Sequence, residues 1–123
     1  MKDEVVALRQ RTTKFALRVV KMYSSLPDDR VAQTMGYQAL RSGTSVGGQY
    51  REACRARSNA ELVSKLESVL QELDETSYWL ELLVDSEVVT QKRLAGLRTE
   101  ADTLTAMLVT AVKNIKSRRN GKR

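Results

Sequence analysis

Apolar side chains recur every three or four residues along almost the whole chain, which is the period of an α-helix. The pattern is interrupted at three short places: at 25–29, which contains the only proline, just before residue 59, and at 85–86. It therefore predicts four helices, each about 20 to 28 residues long. The predicted core positions, in chain order, are Val5, Leu8, Thr12, Phe15, Val19 and Met22; Val31, Met35, Ala39, Val46, Tyr50 and Ala53; Leu62, Leu66, Val69, Leu73, Thr76, Leu80 and Leu83; and Leu94, Leu97, Ala101, Leu104, Leu108, Ala111 and Ile115.

Local signals indicate where these helices begin and end. The second helix is expected from about Asp29 to Ala56. Ser58 followed by Glu61 forms a capping box, which starts the third helix. Asp85 and Ser86 can cap the fourth, which we expect to fray after Ser117. Helices of this length joined by short loops pack as antiparallel neighbours, so the fold class is all-α, an up-down-up-down four-helix bundle. We expect one domain over 1–123, with a basic tail from about residue 117.

Four of the six glycines lie in the second predicted helix, where each is less favourable than alanine by roughly 1 kcal/mol. They are Gly36, Gly43, Gly47 and Gly48. The first three fall in a narrow arc of one face, together with Cys54, and predict a groove that another backbone can approach closely. We expect Cys54 to be a small buried side chain.

The segment Leu40–Cys54 reads LRSGTSVGGQYREAC, and 75–83 reads ETSYWLELL. Both resemble the hallmark segments of a family of small bacterial four-helix-bundle proteins encoded in intervening sequences of large-subunit ribosomal RNA genes. Gly48 and Gln49 depart from that pattern, since Ala and Asn are commoner there. The family is similar to the accessory subunit of diversity-generating retroelements, a basic pentameric bundle that binds nucleic acid and a reverse transcriptase. The resemblance thus implies a homo-oligomeric ring, a pentamer being favoured, with nucleic acid and a reverse transcriptase or other ribonucleoprotein partner.

Charge is segregated along the chain, which carries a net charge of +6. The third predicted helix is acidic, and its carboxylates either form a solvated face or meet a basic surface of their own bundle or of a neighbour. The first helix and the end of the fourth are basic, and phosphate backbones bind such surfaces. Because first and last termini share one end of an up-down bundle, we predict one nucleic-acid patch there. Its residues are Arg11, Lys14, Arg18, Lys21, Lys113, Lys116, Arg118, Arg119, Lys122 and Arg123.

A second stripe, which we call the arginine stripe, lies beside the glycine groove and comprises Arg30, Tyr37, Arg41, Thr44, Gly48, Arg51 and Arg55. It has two interpretations. Its arginines could bind phosphates, or they could pair with carboxylates of the third helix across a subunit interface while the groove admits a neighbouring helix. The interface interpretation is favoured, because a solvated surface has no use for helix-weakening glycines. The predicted oligomer interface comprises Gly36, Arg41, Gly43, Thr44, Gly47, Gly48, Arg51, Arg55 and Trp79.

The composition argues against enzymatic and membrane functions. The chain has no histidine and one cysteine, so the commonest general base and the usual zinc ligands are missing. We expect no enzyme activity, cofactor or metal site. Without an apolar run of about 20 residues or a signal peptide, we expect a cytoplasmic protein. The leading hypothesis is an oligomeric nucleic-acid-binding or ribonucleoprotein accessory factor, with RNA and DNA both open, and the alternative is a protein-binding scaffold without nucleic-acid binding.

Overall fold

The computed structural model describes residues 2–121, with side chains described as far as Arg118. Four α-helices follow one another: α1 (Asp3–Ser24), α2 (Arg30–Ala53), α3 (Asn59–Asp85) and α4 (Gln91–Gly121). Each helix packs mainly on its neighbours in the sequence, whereas α1 and α4 touch only lightly along the remaining edge. This is an up-down four-helix bundle, as the periodicity predicts. Among residues 2–121, no helix has a stretch long and apolar enough to span a membrane.

The core is aliphatic apart from Phe15 and Tyr50 and draws on all four helices. Most of the predicted core positions are buried, and Phe15, Val46, Leu73 and Leu104 are completely inaccessible to solvent. Tyr50 is also buried, and this burial, together with the nearby Cys54, raises the pKa of its phenol. The core also contains a polar contact between α2 and α3, in which the hydroxyl oxygens of Thr76 and Ser42 lie 2.8 Å apart.

Val31 is an exception to the predicted core, since 58% of it is exposed. The contact between Ser42 and Thr76 sets the antiparallel register of α2 and α3. Val31 lies about 100° around the helix from Ala32 and so falls outside the face of α2 that packs on the bundle. The neighbouring Ala32 is buried in its place.

Two helix starts follow from side-chain caps that the sequence indicates. The carboxylate of Asp29 accepts a hydrogen bond from the backbone N–H of Val31, so α2 begins at Arg30. The Ser58 hydroxyl accepts one from the N–H of Glu61 at 3.1 Å, which confirms Ser58 as the N-cap of α3. The α2 helix ends three residues before the predicted Ala56, because Arg55 and Ala56 donate to the carbonyls three residues back in a tighter turn.

The start of α4 differs from the prediction. Ser86 ends α3 rather than beginning α4, and Glu87 adopts a left-handed conformation with φ of 65°. The backbone N–H groups of Glu87 and Val88 then bond to the carbonyls of Val84 and Leu83, the pattern of a Schellman motif. The N-cap of α4 is Thr90, whose hydroxyl accepts from the N–H of Arg93 at 3.2 Å. At its other end α4 continues to Gly121, beyond the predicted end at Ser117.

Candidate nucleic-acid interface

The glycine groove of α2 is filled by α1 of the same chain. A Cβ atom added to Gly43 would lie 2.9 Å from Cγ2 of Val19, and one added to Gly47 would lie 3.5 Å from the backbone carbonyl of Thr12. At Gly36 it would overlap Leu26. These three glycines are buried within the protomer. The expectation that they admit a neighbouring subunit is therefore wrong, because the sequence shows that a groove exists without showing which helix occupies it.

Gly48 differs from the other three glycines of α2. It is exposed, and no atom lies within 4 Å of the position that its Cβ would take. Cys54 caps the end of α2 and is exposed, so the expectation that it is buried is also wrong.

The arginine stripe of α2 faces outward. Arg41, Thr44, Arg51 and Arg55 are exposed, and Trp79 is half-buried against the core. Arg41 lies 3.7 Å from the carboxylate of Glu75 on α3 of its own chain. Arg41 can thus pair with a carboxylate of α3 within its own protomer, whereas the sequence favours such a pair between subunits.

The acidic α3 helix meets basic and polar groups on both neighbouring helices. Glu67 lies 3.4 Å from the ammonium of Lys116 on α4, and Glu72 accepts a hydrogen bond from Gln49 on α2. Burial and the adjacent Glu75 raise the pKa of Glu72 above its usual range. Some of the acidic residues of α3 therefore bind groups of their own bundle.

Arg11 forms a forked ion pair across the seam between α1 and α4. Its Nη2 and Nε donate to the two carboxylate oxygens of Glu100 at 2.7 and 3.0 Å, and its Nη1 lies 3.4 Å from Sδ of Met107. The hydrogen bond to Glu100 raises the pKa of Arg11. Glu100 neutralises this cation, so Arg11 does not belong to a free basic patch as predicted.

Beside this ion pair, the α1–α4 seam carries an exposed row of cations. Lys14, Arg18 and Lys21 follow one another on α1 at helical spacing, and all three line a shallow groove with Glu100. Arg18 crosses the seam, since its Nη2 lies 3.1 Å from the position that a Cβ of Gly96 would take on α4. Because of this contact, the segment of α4 around Gly96 lies level with the basic row of α1.

Two cations of α4 extend the row. Lys92 and Arg93 precede Gly96 by four and three residues, so they share its helix face. Because α1 and α4 are antiparallel, Lys21 lies level with this first turn of α4. All five side chains are exposed, and none has a carboxylate partner within residues 2–118. We call Lys14, Arg18, Lys21, Lys92 and Arg93 the seam cluster.

The cations at the end of α4 lie far from the seam cluster. Arg118 follows Gly96 by 22 residues, which at about 1.5 Å per residue places it some 33 Å along the helix axis. Lys116 is engaged with Glu67, whereas Lys113 and Arg118 are exposed. The side chains of Arg119, Lys122 and Arg123 lie outside the described residues. The single patch predicted at one end of the bundle is thus divided into two separate regions.

Comparison with known proteins agrees with the fold and with the two hallmark segments. The 23S rRNA-intervening sequence protein family matches residues 4–110. The chain belongs to this family.

A solved structure is similar to this family member over nearly its whole length. It is the crystal structure of a protein of unknown function from Bacteroides thetaiotaomicron, assigned to the S23 ribosomal protein family. The two are 34% identical, with a TM-score of 0.83, and the match covers 89% of this chain and 97% of the other. Comparison with curated proteins gives no match.

The sequence predicts the α1 half of the seam cluster but not the α4 half. Lys92 and Arg93 are far in sequence from the C-terminal run of cations, and only the contact of Arg18 with Gly96 places them beside Lys21.

Proposed function

We propose that this protein is a non-enzymatic nucleic-acid-binding factor of ribonucleoprotein assemblies, and that its seam cluster is the binding surface. The supporting observation is the accumulation on one edge of the bundle of five exposed cations that have no carboxylate partner within residues 2–118. Phosphate contacts release condensed counterions, and such an uncompensated surface gains most from that release.

Binding should depend steeply on salt. Each phosphate neutralised on a duplex contributes about −0.9 to the slope of log affinity against log salt. Changing both Arg18 and Lys21 to Ala should weaken binding at low salt by about ten-fold or more and flatten the slope by up to about 1.8. Fluorescence anisotropy of a labelled 24-base-pair duplex, titrated at several NaCl concentrations, measures both quantities.

The matched control changes Lys2 and Arg57 to Ala, which removes the same charge from exposed positions before α1 and in the loop between α2 and α3. This control should bind nearly as well as the unaltered protein. Equal losses in both double variants would show that net charge alone governs binding, and no binding at low salt would favour the protein-binding scaffold. A second comparison removes 117–123, which tests whether the C-terminal cations contribute independently.

We also propose that the protein forms a closed homo-oligomer, for which a pentamer is implied by the resemblance. Four exposed apolar side chains support this proposal: Val6, Leu17, Val20 and Tyr37, which lie on the outer surfaces of α1 and α2. Exposed arginines flank them on α2, whereas α3 presents outward acidic residues around the exposed Tyr78. Two different surfaces of complementary charge suit a head-to-tail contact, and such contacts form a ring when the rotation between successive subunits closes.

Light scattering at micromolar concentration should therefore show a species several times the 13.9 kDa protomer. Tyr37→Glu should dissociate it by placing an unpaired carboxylate in the contact. Val31→Glu is the matched control, since Val31 is about equally exposed on the same helix but lies about 120° around its axis from Tyr37. A monomeric unaltered protein would contradict the proposal.

A further inference from the structure

The seam cluster is basic without being aromatic. The exposed aromatic side chains among residues 2–118 are Tyr37 on α2 and Tyr78 on α3, and the latter packs edge-on against Trp79. Phe15, which lies beneath the groove of the α1 cations, is fully buried. Proteins that bind single strands combine a basic groove with aromatic platforms on which bases stack. The seam cluster offers only the first of these.

The spacing of the cations also bears on the ligand. Lys14 and Lys21 are seven residues apart, so the three α1 cations extend over about 10 Å of helix, at roughly 1.5 Å per residue. The α4 cations lie across the seam, which gives the cluster a second row. A duplex presents one phosphate charge per about 1.7 Å of its axis, counting both strands, compared with about 3.4 Å per charge along one strand. Two short rows of cations therefore meet more phosphates on a duplex.

The cluster has few groups that read base edges. Its five members are all lysine or arginine, and the acidic group beside it, Glu100, is held by both nitrogens of the Arg11 fork. Contacts of lysine and arginine to backbone phosphates carry no sequence information, and the only base edge with which these side chains commonly pair is that of guanine. Nothing in the cluster provides the amide or carboxylate groups that pair with adenine or cytosine edges.

From this we propose that the seam cluster binds the phosphate backbone of a double helix, with little sequence preference, in preference to a single strand. The inference rests on the proposed nucleic-acid binding and specifies the form of its ligand. Contacts to phosphates on both strands account for the affinity, and the bases remain stacked within the duplex.

Binding titrations with duplexes and with single strands test this inference directly. The full-length protein is titrated at 50 mM NaCl with a labelled 24-base-pair RNA duplex, the matching DNA duplex, and each component strand chosen to lack internal structure. We expect both duplexes to bind at least ten-fold more tightly than their strands. The ratio of the affinities for the RNA and the DNA duplex then shows whether the cluster prefers phosphates in A-form or in B-form geometry.

Tyrosine variants provide the second measurement. Changing Tyr37 and Tyr78 to Leu removes both rings but keeps apolar side chains in the proposed subunit contact, so the affinity for duplex and strand should stay within two-fold, because no base stacks on either ring. Changing Arg18 and Lys21 to Ala should reduce duplex binding and remove most of the duplex preference. Tighter binding of single strands, or a large loss in the tyrosine variants, would overturn the inference while leaving nucleic-acid binding intact. Failure of every nucleic acid to bind would overturn the proposed function itself.

Discussion

Replacing Phe15 with Ala is expected to lower the free energy of unfolding by about 3 to 5 kcal/mol, the usual cost of removing a fully buried aromatic ring. Phe15 is completely inaccessible to solvent and lies between the α1–α2 and α1–α4 contacts. Aliphatic neighbours cannot move enough to fill the volume of its ring, so a cavity remains. Urea denaturation followed by far-ultraviolet circular dichroism measures the loss.

Val31→Ala is the control for this prediction. Val31 is 58% exposed and lies outside the proposed subunit contact, so its truncation should change the stability by no more than about 0.5 kcal/mol. Comparable losses in the two variants would mean that the core is not packed around Phe15 as described.

The second large effect is expected at Gly43. A leucine there would drive its Cβ into the branched side chain of Val19, which is itself fully buried. Neither Val19 nor the α1 backbone can withdraw without opening the core, so we expect a loss of about 2 to 3 kcal/mol. Thermal or urea unfolding measures this loss.

Gly48→Leu makes the same change five residues later on the same helix. Its Cβ would enter open space, and the better helix propensity of leucine should stabilise the protomer by roughly 0.5 to 1 kcal/mol. Opposite signs at the two positions would support the close approach of α1 to one face of α2. Equal effects would show that α1 and α2 are not in the close contact that the buried glycines allow.

The helices could be predicted from the sequence because their signals are local. The three-four rhythm of α1 identifies Phe15 and Val19 as core residues, and the hydroxyl of Ser58 marks the start of α3 without reference to the rest of the chain. The turn between α3 and α4 gives no such signal. Its left-handed residue is Glu87, where glycine is usual, and this is why the start of α4 was misplaced.

The candidate site could be predicted only in part, because it depends on contacts between distant segments. The row of Lys14, Arg18 and Lys21 can be predicted because these cations form a stripe on one helix. The pairing of Arg11 with Glu100 cannot be predicted, since these residues are 89 positions apart and no local pattern relates them. For the same reason the glycine arc was recognised correctly while its occupant, α1, was not.

The light contact between α1 and α4 has a consequence for the order in which the protein folds. The loops 25–29, 54–58 and 86–90 are short, so successive helices meet at little cost in loop entropy, whereas the seam joins the two ends of the chain. The seam is therefore the last edge to close and the first to open. A duplex bound to Lys14 and Lys21 on α1 and to Arg93 on α4 would hold this edge shut, so the ligand would stabilise the whole bundle by an amount that rises with the logarithm of its concentration relative to Kd.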